Sequence, residues 1–156
     1  MSTKFTTKPP FNAVPEPLTV LLEAASRSVL RSLTARLRGC GYAMVTDPHL
    51  VLFGNLDCGA THAAQIAQRM QVSRQAVSKT LRELQELGFV RLEDDPERRN
   101  QKLVIMTDRG MALALDARQE LHAIESALAQ EIGPGAMAAL RGALEQRWGT
   151  GSSRAS

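Results

Sequence analysis

The chain has 156 residues, 44% of them apolar and 22% charged. That length suits a single domain and that balance suits a soluble globular protein, so disordered, collagen-like and purely coiled-coil chains are excluded. Aromatic residues are only 4%, which argues against a single-strand or RNA binder built on stacked rings, and a net charge of +3 permits nucleic-acid binding without demonstrating it.

Residues 1–16 carry Pro9, Pro10 and Pro15 among Thr and Lys and read as a flexible arm. No apolar stretch follows the first charges, so no secretory leader is expected, and no apolar run approaches the roughly 18 residues of a membrane span. The expected setting is the cytoplasm, with Cys40 and Cys58 reduced. From Pro17, the residues Leu18, Leu21, Leu22, Ala25, Val29, Leu33 and Leu37 recur at three- and four-residue steps. That spacing predicts one long amphipathic helix ending at Gly39-Cys40-Gly41, with Arg27, Arg31, Arg36 and Arg38 on its solvated face.

Asp47-Pro48 opens a short helix through Leu50, Val51, Phe53 and Leu56. A second short helix carries Ala63, Ala64, Ile66, Ala67 and Met70, with Thr61 or His62 as its cap. Gln71-Val72-Ser73 reads as a turn, and Ser73 as the N-cap of a third helix that buries Val77, Leu81, Leu84 and Leu87 before Gly88. The period then changes to two. Residues 89–93 and 102–106 form a hairpin around the polar loop at 94–100. Thr107 caps another long helix striped by Leu113, Ala117, Leu121, Ile124, Leu128 and Ile132, which Gly133-Pro134-Gly135 stops. Met137, Leu140, Leu144 and Trp148 stripe a last helix, and residues 149–156 read as a mobile tail.

The stretch 61–107 is the informative one: short helix, tight turn, helix, two-stranded hairpin. Arg74, Gln75, Ser78, Lys79 and Arg82 fall on or near the face opposite Val77, Leu81 and Leu84, and none is acidic. A helix of this kind fits the major groove, where Gln pairs with adenine and Arg or Lys with guanine. Ser73 lies at its start, nearer the backbone. Arg98 and Arg99 stand at the hairpin tip and Lys102 on the return strand, placed for the neighbouring minor groove. Glu93, Asp94 and Asp95 at the hairpin base would repel phosphates, so only the tip is expected to approach DNA.

The run from Gln65 to Gly110 resembles the winged helix of MarR-type transcriptional regulators, and the likeness extends more loosely over the flanking helices, about 130 residues in all. The family's wing usually reads Asp-Pro-x-Asp-x-Arg. Here Asp95 and Pro96 stand, but Arg98 occupies the second Asp position and Asn100 the Arg position. Sliding by one residue offers Glu97 and Arg99 as a substitute pair, with Arg99 entering the groove and Arg98 against phosphate. The resemblance implies a mainly α fold, α+β by its wing: a winged helix-turn-helix lobe at 47–107 and dimerisation helices at 17–41 and 107–148, within one domain at 17–148. It implies a homodimeric regulator, most often a repressor, reading a pseudo-palindrome in double-stranded DNA. The sequence supports the dimer independently, because the stripes at 18–37, 113–132 and 137–148 are too extensive for one compact lobe to cover.

Tyr42, Met44, His49 and Met111 could line a small-molecule effector pocket between stem and lobe. Cys58 and His62 form a C-x3-H pair, but neither His49 nor His122 completes a ligand set, so no metal or other cofactor is expected. No nucleophile elbow, phosphate loop, HExxH or dinucleotide fingerprint is present, and no catalysis is expected. Two alternatives stand beside the regulator: a winged-helix module that docks a protein, and a thiol-based redox sensor using Cys40 or Cys58.

Overall fold

The computed structural model describes residues 15–56, 61–98 and 101–146. Among these residues six helices and three strands follow in the order α1 (Leu18–Gly39), α2 (Asp47–Phe53), β1 (Thr61–His62), α3 (Ala63–Met70), α4 (Arg74–Glu86), β2 (Val90–Asp94), β3 (Lys102–Met106), α5 (Asp108–Ile132) and α6 (Pro134–Glu145). The arm at 1–14, Cys58, Arg99, Trp148 and the tail at 149–156 lie outside the described residues.

Two features depart from the sequence expectation. The helix begun at Asp47-Pro48 closes at Phe53, where the Gly54 and Asn55 amides turn back to the Leu50 and Leu52 carbonyls. A short strand, β1, precedes α3. It pairs antiparallel with β3, Thr61 opposite Val104 and His62 opposite Leu103. The sheet order is thus β1-β3-β2, with Val90 opposite Met106 and Asp94 opposite Lys102 in the hairpin.

The helix-turn-helix is built from local rules. Gln71 takes a left-handed conformation (φ 53°), which lets the chain turn within three residues. Ser73 then caps α4, its Oγ accepting the Ala76 N–H at 3.1 Å. At the far end Gly88 adopts φ 76°, so its N–H reaches the Gln85 carbonyl and the Phe89 N–H the Leu84 carbonyl. Those two bonds close a Schellman motif and aim the chain into β2.

One apolar core joins the lobe to the near ends of the long helices. Leu33 and Leu37 of α1, Leu50 and Leu52 of α2, Ile66 of α3, Val77, Leu81 and Leu84 of α4, Phe89, Val90, Val104 and Leu113 are all buried. Phe89 is its centre, with the rings of Tyr42 and Phe53 at 6.1 and 6.2 Å and the Arg109 guanidinium 4.8 Å above it. Arg36 meets Glu120 and Tyr42 meets Asp116, so α1 and α5 run antiparallel. Burial fades along both helices away from the lobe. Leu113 is buried and Leu121 half-buried, while Ile132, Leu18 and Leu21 are exposed. α6 buries no residue at all within one chain.

Candidate nucleic-acid interface

α4 separates its faces as the sequence pattern requires. Val77, Leu81 and Leu84 are buried, while Arg74, Gln75, Ser78, Lys79 and Arg82 are exposed. At about 3.6 residues per turn, Gln75, Lys79 and Arg82 project directly away from the core, and Arg74 and Ser78 lie on one flank. Ser73 is occupied as the cap. Its oxygen satisfies one of the free amides at the helix start, so the helix can stand clear of the protein without a frayed first turn. Arg82 Nε donates to the Ser78 carbonyl at 3.4 Å, and Lys79 Nζ lies 3.9 Å from Glu83 Oε1. Both contacts are exposed and loose, and a phosphate can replace them at little cost.

Glu86 falls on the outward face one turn beyond Arg82, and Glu83 lies at the edge of that face beside Lys79. The other Glu83 oxygen, Oε2, is 3.0 Å from His49 Nε2, a buried ring on α2. That bond holds Glu83 to the side of the outward-facing residues.

In the wing, each carboxylate at the hairpin base is paired. Arg91 Nε donates to Glu93 at 2.6 Å, and Lys102 Nζ to Asp94 at 2.5 Å across the strands. Asp95 Oδ2 lies 2.7 Å from His62 Nε2, and its Oδ1 accepts the Glu97 N–H at 2.8 Å. The His62 hydrogen bond, helped by the Glu97 amide, holds the Asp95 carboxyl below the usual carboxylate range. These pairs relieve the repulsion expected at the wing base. They also give Lys102 a fixed anionic neighbour, so it is a weaker candidate for DNA than the exposed Arg98. Arg98 sits in the turn, its carbonyl accepting the Gln101 N–H at 3.1 Å. The suggested Glu97–Arg99 pair involves a residue outside the described ones. Sequence reasoning missed the His62–Asp95 tie. Its only signal was a His at the start of a helix and an Asp before Pro96, 33 positions apart.

The structure does not bring Tyr42, Met44, His49 and Met111 around one cavity. The Tyr42 hydroxyl donates to Asp116 Oδ2 at 2.5 Å, an interaction that, with burial, pushes its pKa up to about 12. His49 points toward α4, and Met44 and Met111 are exposed at the surface. A cavity of about 250 Å³ does lie between stem and lobe. Leu33, Leu50, Phe53, Met106, Leu113 and Leu121 help wall it, and Arg118 is the charged residue on its lining. Cys40 is exposed, its Sγ 4.0 Å from a Glu120 oxygen. A reactive thiol needs an electropositive setting, and the Glu120 carboxylate beside this one, itself paired with Arg36 at 3.0 Å, does not supply it. No group of three or more potential metal ligands occurs among the described residues, and no helix among them is long and apolar enough to cross a membrane.

Residues 45–99 match the family model described as MarR family. No curated protein matches the sequence. Among solved structures, the fold is similar to wild-type MarR (apo form) from E. coli, with TM-score 0.70 and 19% identity over 83% of this chain and 96% of that one. It is similar to a MarR-family transcriptional regulator from Rhodococcus sp. RHA1, with TM-score 0.67 and 20% identity over 83% and 94%. It is similar also to CouR from Rhodococcus jostii RHA1 bound to p-coumaroyl-CoA, with TM-score 0.66 and 19% identity over 88% and 96%. The winged-helix lobe thus matches the family model over residues 45–99, and the overall fold is similar to that of those structures.

Proposed function

We propose that this protein is a transcriptional regulator, most simply a repressor, that reads a pseudo-palindromic site in double-stranded DNA as a homodimer. The observation that carries the reading is the outer face of α4. Gln75, Lys79 and Arg82 are exposed opposite a fully buried Val77, Leu81 and Leu84, and Glu83, the acid beside Lys79, is held by His49. Gln75 and Lys79 lie one turn apart, the reach of adjacent base pairs in the major groove. Arg74, Ser78 and Arg82 flank them toward the backbone, with Ser73 at the cap. The wing adds Arg98 and Arg99 beside the minor groove, with Lys102 behind them.

The dimer reading is supported by what one chain leaves uncovered. Leu18 and Leu21 of α1, Ile132 of α5 and Leu140 and Leu144 of α6 are exposed large apolar side chains on the three helices that make the stem. A second copy of the same surface, related by a two-fold axis, buries them and sets two α4 helices at a fixed spacing. The setting that fits this role is the cytoplasm, and catalysis has no part in it.

The cavity between stem and lobe suits a small effector with an apolar body and one anionic group, Arg118 supplying the counter-charge. CouR binding p-coumaroyl-CoA in a related fold is consistent with an aromatic acid derivative as the class. Selection of bound duplexes from a random-sequence pool by the full chain tests the reading. Enrichment of a two-fold symmetric site is expected, and retention of all sequences alike, or of none, refutes it.

A further inference from the structure

His49 occupies an unusual position for a buried histidine: each ring nitrogen has a defined partner, and the two partners belong to different elements. Nδ1 accepts the backbone N–H of Thr46 at 3.2 Å and so closes the first turn of α2. A nitrogen that accepts carries no proton, so the proton of the neutral ring sits on Nε2. Nε2 therefore donates to Glu83 Oε2 at 3.0 Å. The His49 side chain is 4% exposed and that of Glu83 41%, so the bond is anchored from the dry side. Glu83 is also one turn from Lys79, with 3.9 Å between Oε1 and Nζ.

We propose that His49 is a positioning residue for DNA binding: by holding Glu83 against α2, it keeps that carboxylate from closing on Lys79 and leaves the ammonium free for DNA. The inference rests on the reading of α4 as the DNA-facing helix. Its physical basis is a competition for one carboxylate. With the imidazole donor in place, Glu83 has a fixed, partly desolvated partner, and its contact with Lys79 is too long for a hydrogen bond. Without that donor, the nearest cation within reach of the carboxylate is Lys79. Closing that pair removes one positive charge from the DNA face and brings a negative one nearer the phosphates. The buried donor is thus part of the DNA-binding apparatus although it touches no DNA.

The test uses the full chain and a duplex selected by it from a random-sequence pool. His49→Leu removes both hydrogen bonds. It is expected to weaken binding about fivefold or more, the lower edge of ordinary coupling between sites, and to reduce the slope of log affinity against log salt by about one unit, as for one lost phosphate contact. His49→Gln is expected to restore both values, because Gln is a normal partner at this capping position and its amide can accept from Thr46 while donating to Glu83. Glu83→Gln, which leaves no carboxylate to close on Lys79, is expected to abolish the effect of His49→Leu. If His49→Leu does not fold, His49→Met replaces it: it fills the buried site with a flexible side chain of similar size, lacks the donor to Glu83, and carries the same expectations.

A purely structural histidine gives a different result, an affinity loss that persists in the Glu83→Gln background, and that overturns the proposal. So does unchanged affinity and slope in His49→Leu. Lys79→Ala separates the two layers of the argument. If the wild-type chain selects no duplex, or Lys79→Ala binds as the wild type does, the reading of α4 fails and takes this proposal with it. If Lys79→Ala weakens binding and His49→Leu does not, only the role given to His49 fails.

Discussion

Replacing Gly110 with alanine should destabilise this protein, although Gly110 lies in a helix, where the exchange normally helps. Gly110 is buried in the first turn of α5. A Cβ built there meets the Phe89 carbonyl oxygen at 2.0 Å and its carbon at 3.0 Å, both backbone atoms of the residue that centres the core. The junction cannot yield cheaply, because three further bonds fix it. The Thr107 N–H donates to that same Phe89 carbonyl at 3.1 Å, the Thr107 hydroxyl donates to the Gly88 carbonyl at 2.6 Å, and the Gly110 N–H donates to Thr107 Oγ1 at 3.1 Å. Relieving the clash means moving α5 away from β2. Overpacking of that kind costs about 1–3 kcal/mol, and losing the Thr107–Phe89 bond adds about 1 kcal/mol. The helix preference for alanine returns at most about 1 kcal/mol. The net is a loss of about 1–3 kcal/mol, and at roughly 2–4 °C per kcal/mol for a chain of this size the melting temperature should fall by about 2–12 °C. Thermal and urea unfolding of both proteins at one fixed concentration measures it, since dimerisation would make the midpoint concentration-dependent. Gly39, at the end of α1 with nothing within 4 Å of its virtual Cβ, is the control and should tolerate alanine within about 0.5 kcal/mol. A Gly110→Ala protein as stable as the wild type would refute the packing argument.

Gln75→Ala should cost about 1–3 kcal/mol at the selected site and relax preference at one base pair; competition between selected and random duplexes reads it, and an equal loss on both would assign Gln75 to the backbone instead. Leu140→Gln combined with Leu144→Gln should shift sedimentation toward the monomer or leave the chain insoluble, since each buried leucine contributes about 1.5–3 kcal/mol; an unperturbed dimer would remove α6 from the stem. Tyr42 is the only tyrosine, so its phenolate absorbance can be titrated directly. The midpoint should lie near 12 rather than 10.0 because ionisation breaks the bond to Asp116. The stability from that bond is then fully present below pH 10 and fades as the pH climbs toward 12, a loss that Tyr42→Phe should not show. In the wing, Arg99→Ala is expected to weaken binding more than Arg98→Ala, most of all on A·T-flanked sites; the reverse order would assign the groove position to Arg98.

The parts of this molecule legible in its sequence are those governed by neighbours along the chain. The faces of α4, the cap at Ser73 and the stop at Gly88 each depend on residues within four or five positions, and periodicity reports such relations directly. The long helices α1 and α5 and the last helix α6 were legible for a related reason: an amphipathic stripe is a statement about one helix, whatever covers it. What escaped was every relation set by the closing of the lobe. Thr61 and His62 pair with Val104 and Leu103, more than forty positions on, and a two-residue strand has no period to detect. His62 found Asp95, and His49 found Glu83, through contacts that exist only once the wing and α2 are packed on the helix-turn-helix. The same physics explains the difference between the two histidines and the acids they hold. In sequence, Glu83 and Asp95 are merely negative charges near the surface proposed for DNA, and they count against it. In the folded lobe each is held by an imidazole rooted in the protein. That allows a lobe with acids at 83, 86, 93, 94 and 95 to present Gln75, Lys79, Arg82 and Arg98 outward. Net charge alone could not have revealed this, because a DNA-binding face depends on where its anions are tied as much as on how many cations it has.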